Sequence, residues 1–266
     1  MTKVIIEEQN LIDIANSIRS KLDTTDTFKP SEMNEAINSI ETPNLPEKGI
    51  IINEWDSDGY ATDIEIVGLT EIPAYYLSIQ NYSTNVMSRI RNVKLPDNLT
   101  KIGSSVFRSK TIPFTNLPNT INYLGDHVFY LNTELTLDKL PDELTEIGNS
   151  CFYGCTKLAI RELPSKLTFF GMSCFENTNI SYLDVKSEVL IAVGNASFRG
   201  CSKLRTLIFR KTTPPTLNGE QAFYNTPIAN GTGFIYVPDE SVDAYKSASL
   251  WSTFASQIKG ISELEG

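Results

Sequence analysis

Leu95-Pro-Asp-Asn-Leu-Thr-Lys-Ile-Gly-Ser-Ser-Val-Phe107 returns in nearly the same letters as Leu140-Pro-Asp-Glu-Leu-Thr-Glu-Ile-Gly-Asn-Ser-Cys-Phe152. Its core, a Gly followed four residues later by Phe, occurs at Gly103/Phe107, Gly125/Phe129, Gly148/Phe152, Gly171/Phe175, Gly194/Phe198 and Gly219/Phe223. Successive glycines lie 22, 23, 23, 23 and 25 residues apart. A fixed period of this length describes a solenoid, in which each coil buries its apolar side only by stacking on the next.

The apolar positions keep phase with the glycines. Leu99, Ile121, Leu144, Leu167 and Leu190 fall four residues before the Gly, and Ile102, Leu124, Ile147, Phe170 and Val193 immediately before it. With the Phe, these predict the inward face of six regular leucine-rich coils, a body on the order of 30 Å long at ~4.8 Å per coil. A second apolar line, Leu135/Leu137, Leu158/Ile160 and Leu204/Leu207, predicts another strand per coil. The Gly is read as serving a tight turn that a Cβ obstructs. Leu69 to Leu77 reads as a degenerate first copy, with Pro73 in the Gly place and Leu77 in the Phe place. The fifth copy has Lys186-Ser187 where others have Leu-Pro, and Thr213-Pro214-Pro215 stretches the sixth.

The flanks differ. Residues 1–42 read as two short helices, one with the apolar face Leu11, Ile14, Ala15, Ile18 and Leu22, the other with Met33, Ile37 and Ile40 after Pro30-Ser31. Such a hairpin is too small to form a core alone, so it is expected to act as an anchor or oligomerisation device, Leu11, Ile14, Ile18, Leu22, Met33, Ile37 and Ile40 being its buried face. Residues 43–68 form a proline-rich linker and then a β-hairpin, Ile50-Ile51-Ile52 against Ile64 to Val67, around a polar turn at Asp58-Gly59. The solenoid spans 69–232. Residues 233–266 form its C-terminal cap, a strand followed by a helix that packs Val242, Tyr245 and Trp251. The fold class expected is α+β, mainly β.

A net charge of −9 argues against nucleic acid or an anionic membrane as partner. No run of ~18 apolar residues provides a membrane span. The start, Met1-Thr-Lys-Val-Ile-Ile-Glu-Glu, is no secretory signal. The chain is therefore expected to stay where it is made, to leave by lysis or assembly, or to have lost a leader. Four cysteines recur in phase: Cys151 and Cys174 before the Phe, Cys155 and Cys201 three residues after it. Those phases suit small half-apolar side chains inside a coil, so buried thiols are expected. Zinc-ligand spacing is absent, and no metal or cofactor is expected. Asp56-Ser57-Asp58-Gly59 lacks the remaining ligands of a calcium loop and reads as a turn.

The phrase Leu-Pro-x-x-Leu-Thr-x-Ile-Gly-x-x-x-Phe, with Phe-x-Gly-Cys-x-x-Leu, resembles the BspA-like family of bacterial leucine-rich repeats. The ending Ile235-Tyr-Val-Pro-Asp-Glu-Ser-Val-Asp-Ala-Tyr-Lys246 and Trp251 is similar to that family's C-terminal end. The front resembles something else: Asn10 to Arg19 with Phe28 to Met33 is similar to N-terminal segments of tailed-phage structural proteins, and Asn53 to Tyr60 to the phage variety of these repeats. The combined resemblance implies a bacteriophage virion accessory protein, in capsid or tail fibre, attached to other virion proteins through its N-terminus. A BspA-type adhesin at the bacterial cell surface is the alternative, and an enzyme acting on surface glycans a third class.

Catalysis finds little footing. His127 is the sole histidine and takes a phase held elsewhere by Ser105, Ser150, Ser173 and Ala196, so it reads as structural. The acids form no motif pair, and no catalytic residues are assigned. Binding is the better class. The residue after each Phe is Arg108, Tyr130, Tyr153, Glu176, Arg199 and Tyr224. In phase, these predict a ridge that could hold a host-surface protein or glycan, since Tyr and Arg are frequent interface anchors. A second ladder, two residues before the Gly, is Lys101, Tyr123, Glu146 and Phe169. A homo-oligomer, a trimer in particular, is also expected.

Overall fold

The computed structural model describes residues 4–6, 49–58, 60–77 and 89–264. The expected helices with Leu11, Ile14, Ile18, Leu22, Met33, Ile37 and Ile40 lie outside the described residues. The chain divides into two compact units, Met1–Thr70 with Ser78–Pro96, and Glu71–Leu77 with Asp97–Gly266.

The first unit is built on the expected hairpin. Strand β2 (Gly49–Trp55) pairs antiparallel with β3 (Ala61–Val67), and β1 (Val4–Ile6) and β5 (Asn92–Lys94) complete the sheet in the order β1-β2-β3-β5. Ile50, Ile51, Ile52, Ile64 and Ile66 are buried. At the hairpin turn, Arg89 binds Asp56 and Asp58 at 3.0 and 2.6 Å and lies 4.1 Å over the Tyr60 ring. The two carboxylates thus face a guanidinium. The Tyr60 amide, helped by Arg89, holds the Asp56 carboxyl below its usual value.

The second unit is a solenoid of seven turns, each giving one two-residue strand to a parallel sheet. These are β4 (Glu71–Ile72), β6 (Lys101–Ile102), β7 (Tyr123–Leu124), β8 (Glu146–Ile147), β10 (Phe169–Phe170), β12 (Ala192–Val193) and β14 (Thr216–Leu217). Ile72, Ile102, Leu124, Ile147, Phe170 and Val193 form one in-register buried row. Pro73 and Leu77 accordingly start the solenoid, Leu77 being fully buried. The six repeat Phe rings stack inside, with neighbouring centroids 5.5–5.8 Å apart and planes within 14°. After each Leu-Pro the chain turns back on itself, as in Leu144 N–H to Pro141 C=O at 3.1 Å. Where the fifth copy lacks Leu-Pro, the buried Ser187 hydroxyl donates to the Leu167 carbonyl at 2.5 Å.

The second apolar line is buried throughout, but it becomes a sheet only in the later coils. Strands β9 (Glu162–Leu163), β11 (Tyr182–Val185), β13 (Thr206–Phe209), β15 (Phe234–Val237) and β16 (Ile258–Gly260) form a five-stranded parallel sheet. Earlier coils cross there through isolated bonds, such as Thr136 N–H to Phe114 C=O.

The repeat glycines answer a different constraint from the turn expected of them. A Cβ on Gly148 would stand 2.5 Å from the Asp126 nitrogen and 2.5 Å from the Gly125 carbonyl carbon. Neighbouring coils approach too closely there for any side chain. The left-handed backbone falls two residues later, at Ser105, His127, Ser150, Ser173 and Ala196, with φ of 52–62°. It returns two residues after the Phe, at Ser109, Leu131, Gly154, Asn177 and Gly200. The amides at these bends run to the next coil, as in Ser150 N–H to Met172 C=O, Phe152 N–H to Cys174 C=O and Gly154 N–H to Glu176 C=O, all 2.8–2.9 Å. Turn and ladder are one structure.

The cap closes the last coil. The α-helix α1 (Val242–Ser247) buries Tyr245, whose hydroxyl donates to the Lys211 carbonyl at 2.9 Å, while Val242 is half-buried. Trp251 Nε1 donates to the Pro215 carbonyl at 2.7 Å, and the Phe254 ring meets Phe223 edge-on at 5.1 Å. The Phe stack thereby ends against aromatic rings rather than water.

Candidate binding ridge

Arg108, Tyr130, Tyr153, Glu176 and Arg199 each sit between two left-handed residues, and Tyr224 lies beside one, Asn225. Tyr130, for example, lies between His127 and Leu131. Because the inter-coil ladder keeps successive bends in register, side chains of equal phase meet. Tyr130 stacks on Tyr153 at 4.8 Å and 15°, and the Arg108 guanidinium of the preceding coil lies 4.8 Å over the Tyr130 ring. His127 packs beside Tyr130 at 5.5 Å. Asn177 Nδ2 donates to the Tyr153 hydroxyl at 3.2 Å.

Beyond Tyr153 the ridge changes character. Glu176 is 2% exposed, so it supports the ridge from within rather than lining it. Its Oε1 accepts from Arg199 Nε at 2.7 Å and Nη2 at 2.5 Å, while Oε2 is buried without a hydrogen-bond partner. Arg199 also donates to Gln221 Oε1 at 3.1 Å. Tyr224 stands free at 56% exposure. The partners Asn177 and Gln221 were not read from the sequence, although Asn177 occupies a recurring phase two residues after the Phe.

The second ladder lies on the outward row of the seven-stranded sheet, in the order Glu71, Lys101, Tyr123, Glu146, Phe169. Lys101 pairs with Glu71 at 2.8 Å. Burial, aided by Asp126 and Glu146, pushes the Tyr123 hydroxyl up. The two ladders are separate rows.

The faces of the Tyr130 ring are taken up by Arg108 and Tyr153. At Tyr130 the stack therefore offers a ring edge and a hydroxyl beside the Arg108 guanidinium, groups that hydrogen-bond and pack edge-on. Among the described residues, no three His, Cys, Asp or Glu side chains group as metal ligands, and no helix is long and apolar enough to cross a membrane. All four cysteines are buried free thiols; Cys155 and Cys201 each lie 3.0 Å from a carbonyl of the preceding coil, Phe129 and Phe175.

Two solved structures are among those to which the chain is similar. One is a leucine rich cell surface protein from Faecalibacterium prausnitzii A2-165, at 16% identity over 75% of this chain and 59% of that one, with a TM-score of 0.38. The other is a leucine-rich repeat protein from Bacteroides ovatus ATCC 8483, at 18% identity over 66% of this chain and 55% of that one, with a TM-score of 0.41. The chain spans less than two thirds of either. No curated protein matches it. The family model described as BspA type leucine rich repeat region matches six copies, over residues 65–158 and 130–239. These segments contain every Gly/Phe repeat that stacks in the solenoid, and together they cover well over half of the sequence: the chain belongs to the BspA-type leucine-rich repeat family.

Proposed function

We propose that this chain is a non-enzymatic binding protein displayed at a bacterial cell surface, holding a partner protein along the ridge from Arg108 to Tyr224. Membership of the BspA-type repeat family supports a repeat body used for binding. The observation that carries the ridge assignment is the Arg108–Tyr130–Tyr153 stack, an ordered row of the residue types that anchor interfaces. Because the stack is assembled before any partner arrives, little side-chain freedom remains to be lost on binding. Attachment to a virion, expected from the N-terminal resemblance, has no counterpart in the family match.

Two measurements test this. Purified chain carrying Tyr130→Ala and Tyr153→Ala, folded by circular dichroism, is expected to lose capture of surface proteins that the wild type retains; undiminished capture overturns the ridge. Mass spectrometry of surface fractions and of gradient-purified phage particles from the producing strain tests location. Recovery in the surface fraction supports the proposal, and stoichiometric presence in particles overturns it.

A further inference from the structure

The five-stranded sheet has a second face that the ridge does not use. Leu163, Leu183, Val185, Leu207, Phe209, Ile235, Val237 and Ile258 point into the coils and are at most 2% exposed. The alternate residues lie on the other face: Tyr182, Thr206 and Phe234 form one half-exposed row, and in the next Glu162 and Lys259 reach solvent at its two ends while Asp184, Ile208 and Tyr236 between them are buried. Arg161, Lys186, Arg205, Arg210 and Lys259 surround these rows, against the carboxylates of Glu162, Asp184 and Glu263. That is a positive excess in a chain of net charge −9.

The cations are held in place. Arg161 lies 5.0 Å over the Tyr182 ring and Lys259 4.3 Å over Phe234. Lys186 and Arg210 converge on the buried Asp184 at 2.8 Å each, yet 42% and 38% of their side chains stay in solvent. Lys186 also reaches Glu162 at 3.8 Å. Arg161 and Arg205 are exposed and, among the described residues, have no carboxylate partner.

We propose that this face docks an acidic polypeptide segment, its carboxylates meeting Arg161, Arg205, Lys186 and Arg210 and its apolar side chains resting on Tyr182 and Phe234. Charge complementarity argues for the acid. The half-buried rings, and the exposed Glu162 in the same rows, argue for a segment that alternates acidic and apolar residues over a uniform polyanion, which the net charge of the chain also repels. Five strands at ~4.8 Å spacing span about 19 Å, room for about six extended residues. The proposal stands independently of the ridge, which uses other rows of the coil.

The test is fluorescence anisotropy with a labelled synthetic peptide of alternating aspartate and leucine, using the wild type and the Arg161→Glu/Arg205→Glu variant. Both arginines are exposed, so the variant is expected to melt with the wild type. Saturable binding, weakened about tenfold or more by the variant and by added salt, is the expected result. The proposal is overturned if binding is absent or indifferent to the variant. Tighter binding of polyglutamate or single-stranded DNA also overturns it, as does wild-type self-association that the variant abolishes, which would make a second copy the occupant. None of these outcomes touches the Tyr130 and Tyr153 test.

Discussion

Tyr130 and Tyr153 stack at 4.8 Å and 15° across a separation of one repeat, closer than any pair in the buried Phe stack beside them. Their spacing is that of hydrogen-bonded strands, ~4.8 Å. Leu131 N–H reaches the Tyr153 carbonyl at 2.8 Å, so the backbone sets the distance and the rings follow. The ridge is a by-product of the ladder, which is why it stays ordered outside the core.

Because the rings rest on each other, replacing them is expected to be non-additive. Tyr130→Ala and Tyr153→Ala should show a coupling of about 0.5–1.5 kcal/mol in a double-mutant cycle of chemical denaturation. A coupling near zero would mean that the stack does not persist in solution.

Gly148→Ala is expected to destabilise by about 3 kcal/mol or more, because the added methyl meets backbone of the preceding coil, which cannot swing aside. Gly231→Ala serves as the contrast. Its φ is +79° but its nearest neighbour, Gln257 Nε2, is 3.8 Å away, so only the strain of about 1 kcal/mol applies. Urea melts of the two variants separate collision from strain.

The thiols should be silent in the native state. Burial pushes Cys155 up to about 12 and Cys201 up to about 11, and drives Cys151 and Cys174 well above their usual value. Little reaction with a thiol reagent is expected at pH 8, and four equivalents after denaturation. A raised thiol stabilises the fold fully below its unfolded value of about 9 and loses that contribution as pH rises towards 12. Cys155→Ala and Cys201→Ala should therefore flatten the alkaline loss of stability, at the expense of packing near neutrality.

Asp184 makes the opposite prediction on the acid side. Burial raises its carboxyl, but Arg210 and Lys186 outweigh burial and hold it below the usual value. A depressed acid stabilises above its unfolded value of about 4 and loses that contribution as pH falls through the folded one. Asp184→Asn is expected to cost about 1–2 kcal/mol at pH 7, modest because both cations remain partly in water, and to lose less stability than the wild type on acidification. Thermal melts from pH 7 to pH 3 read both effects.

The sequence by itself determined the period, the buried rows, the degenerate first coil that ends at Leu77 and the aromatic cap at Tyr245 and Trp251. All of these follow from burial, which repeats with the coil and leaves its mark on residue type. Phase alone also placed Arg108, Tyr130 and Tyr153 on one line. It could not say that Glu176, in the same phase, turns inward to Arg199, since direction depends on neighbours a whole repeat away. Nor could it separate a glycine needed for φ from one needed for room, as both appear as the same letter; only the tertiary structure, by bringing Gly125 against Gly148, decided for room. The cationic face around Tyr182 and Phe234 was equally hidden. Its residues come from strands more than twenty positions apart, with no shared motif, and hydrogen bonding between coils alone makes them neighbours.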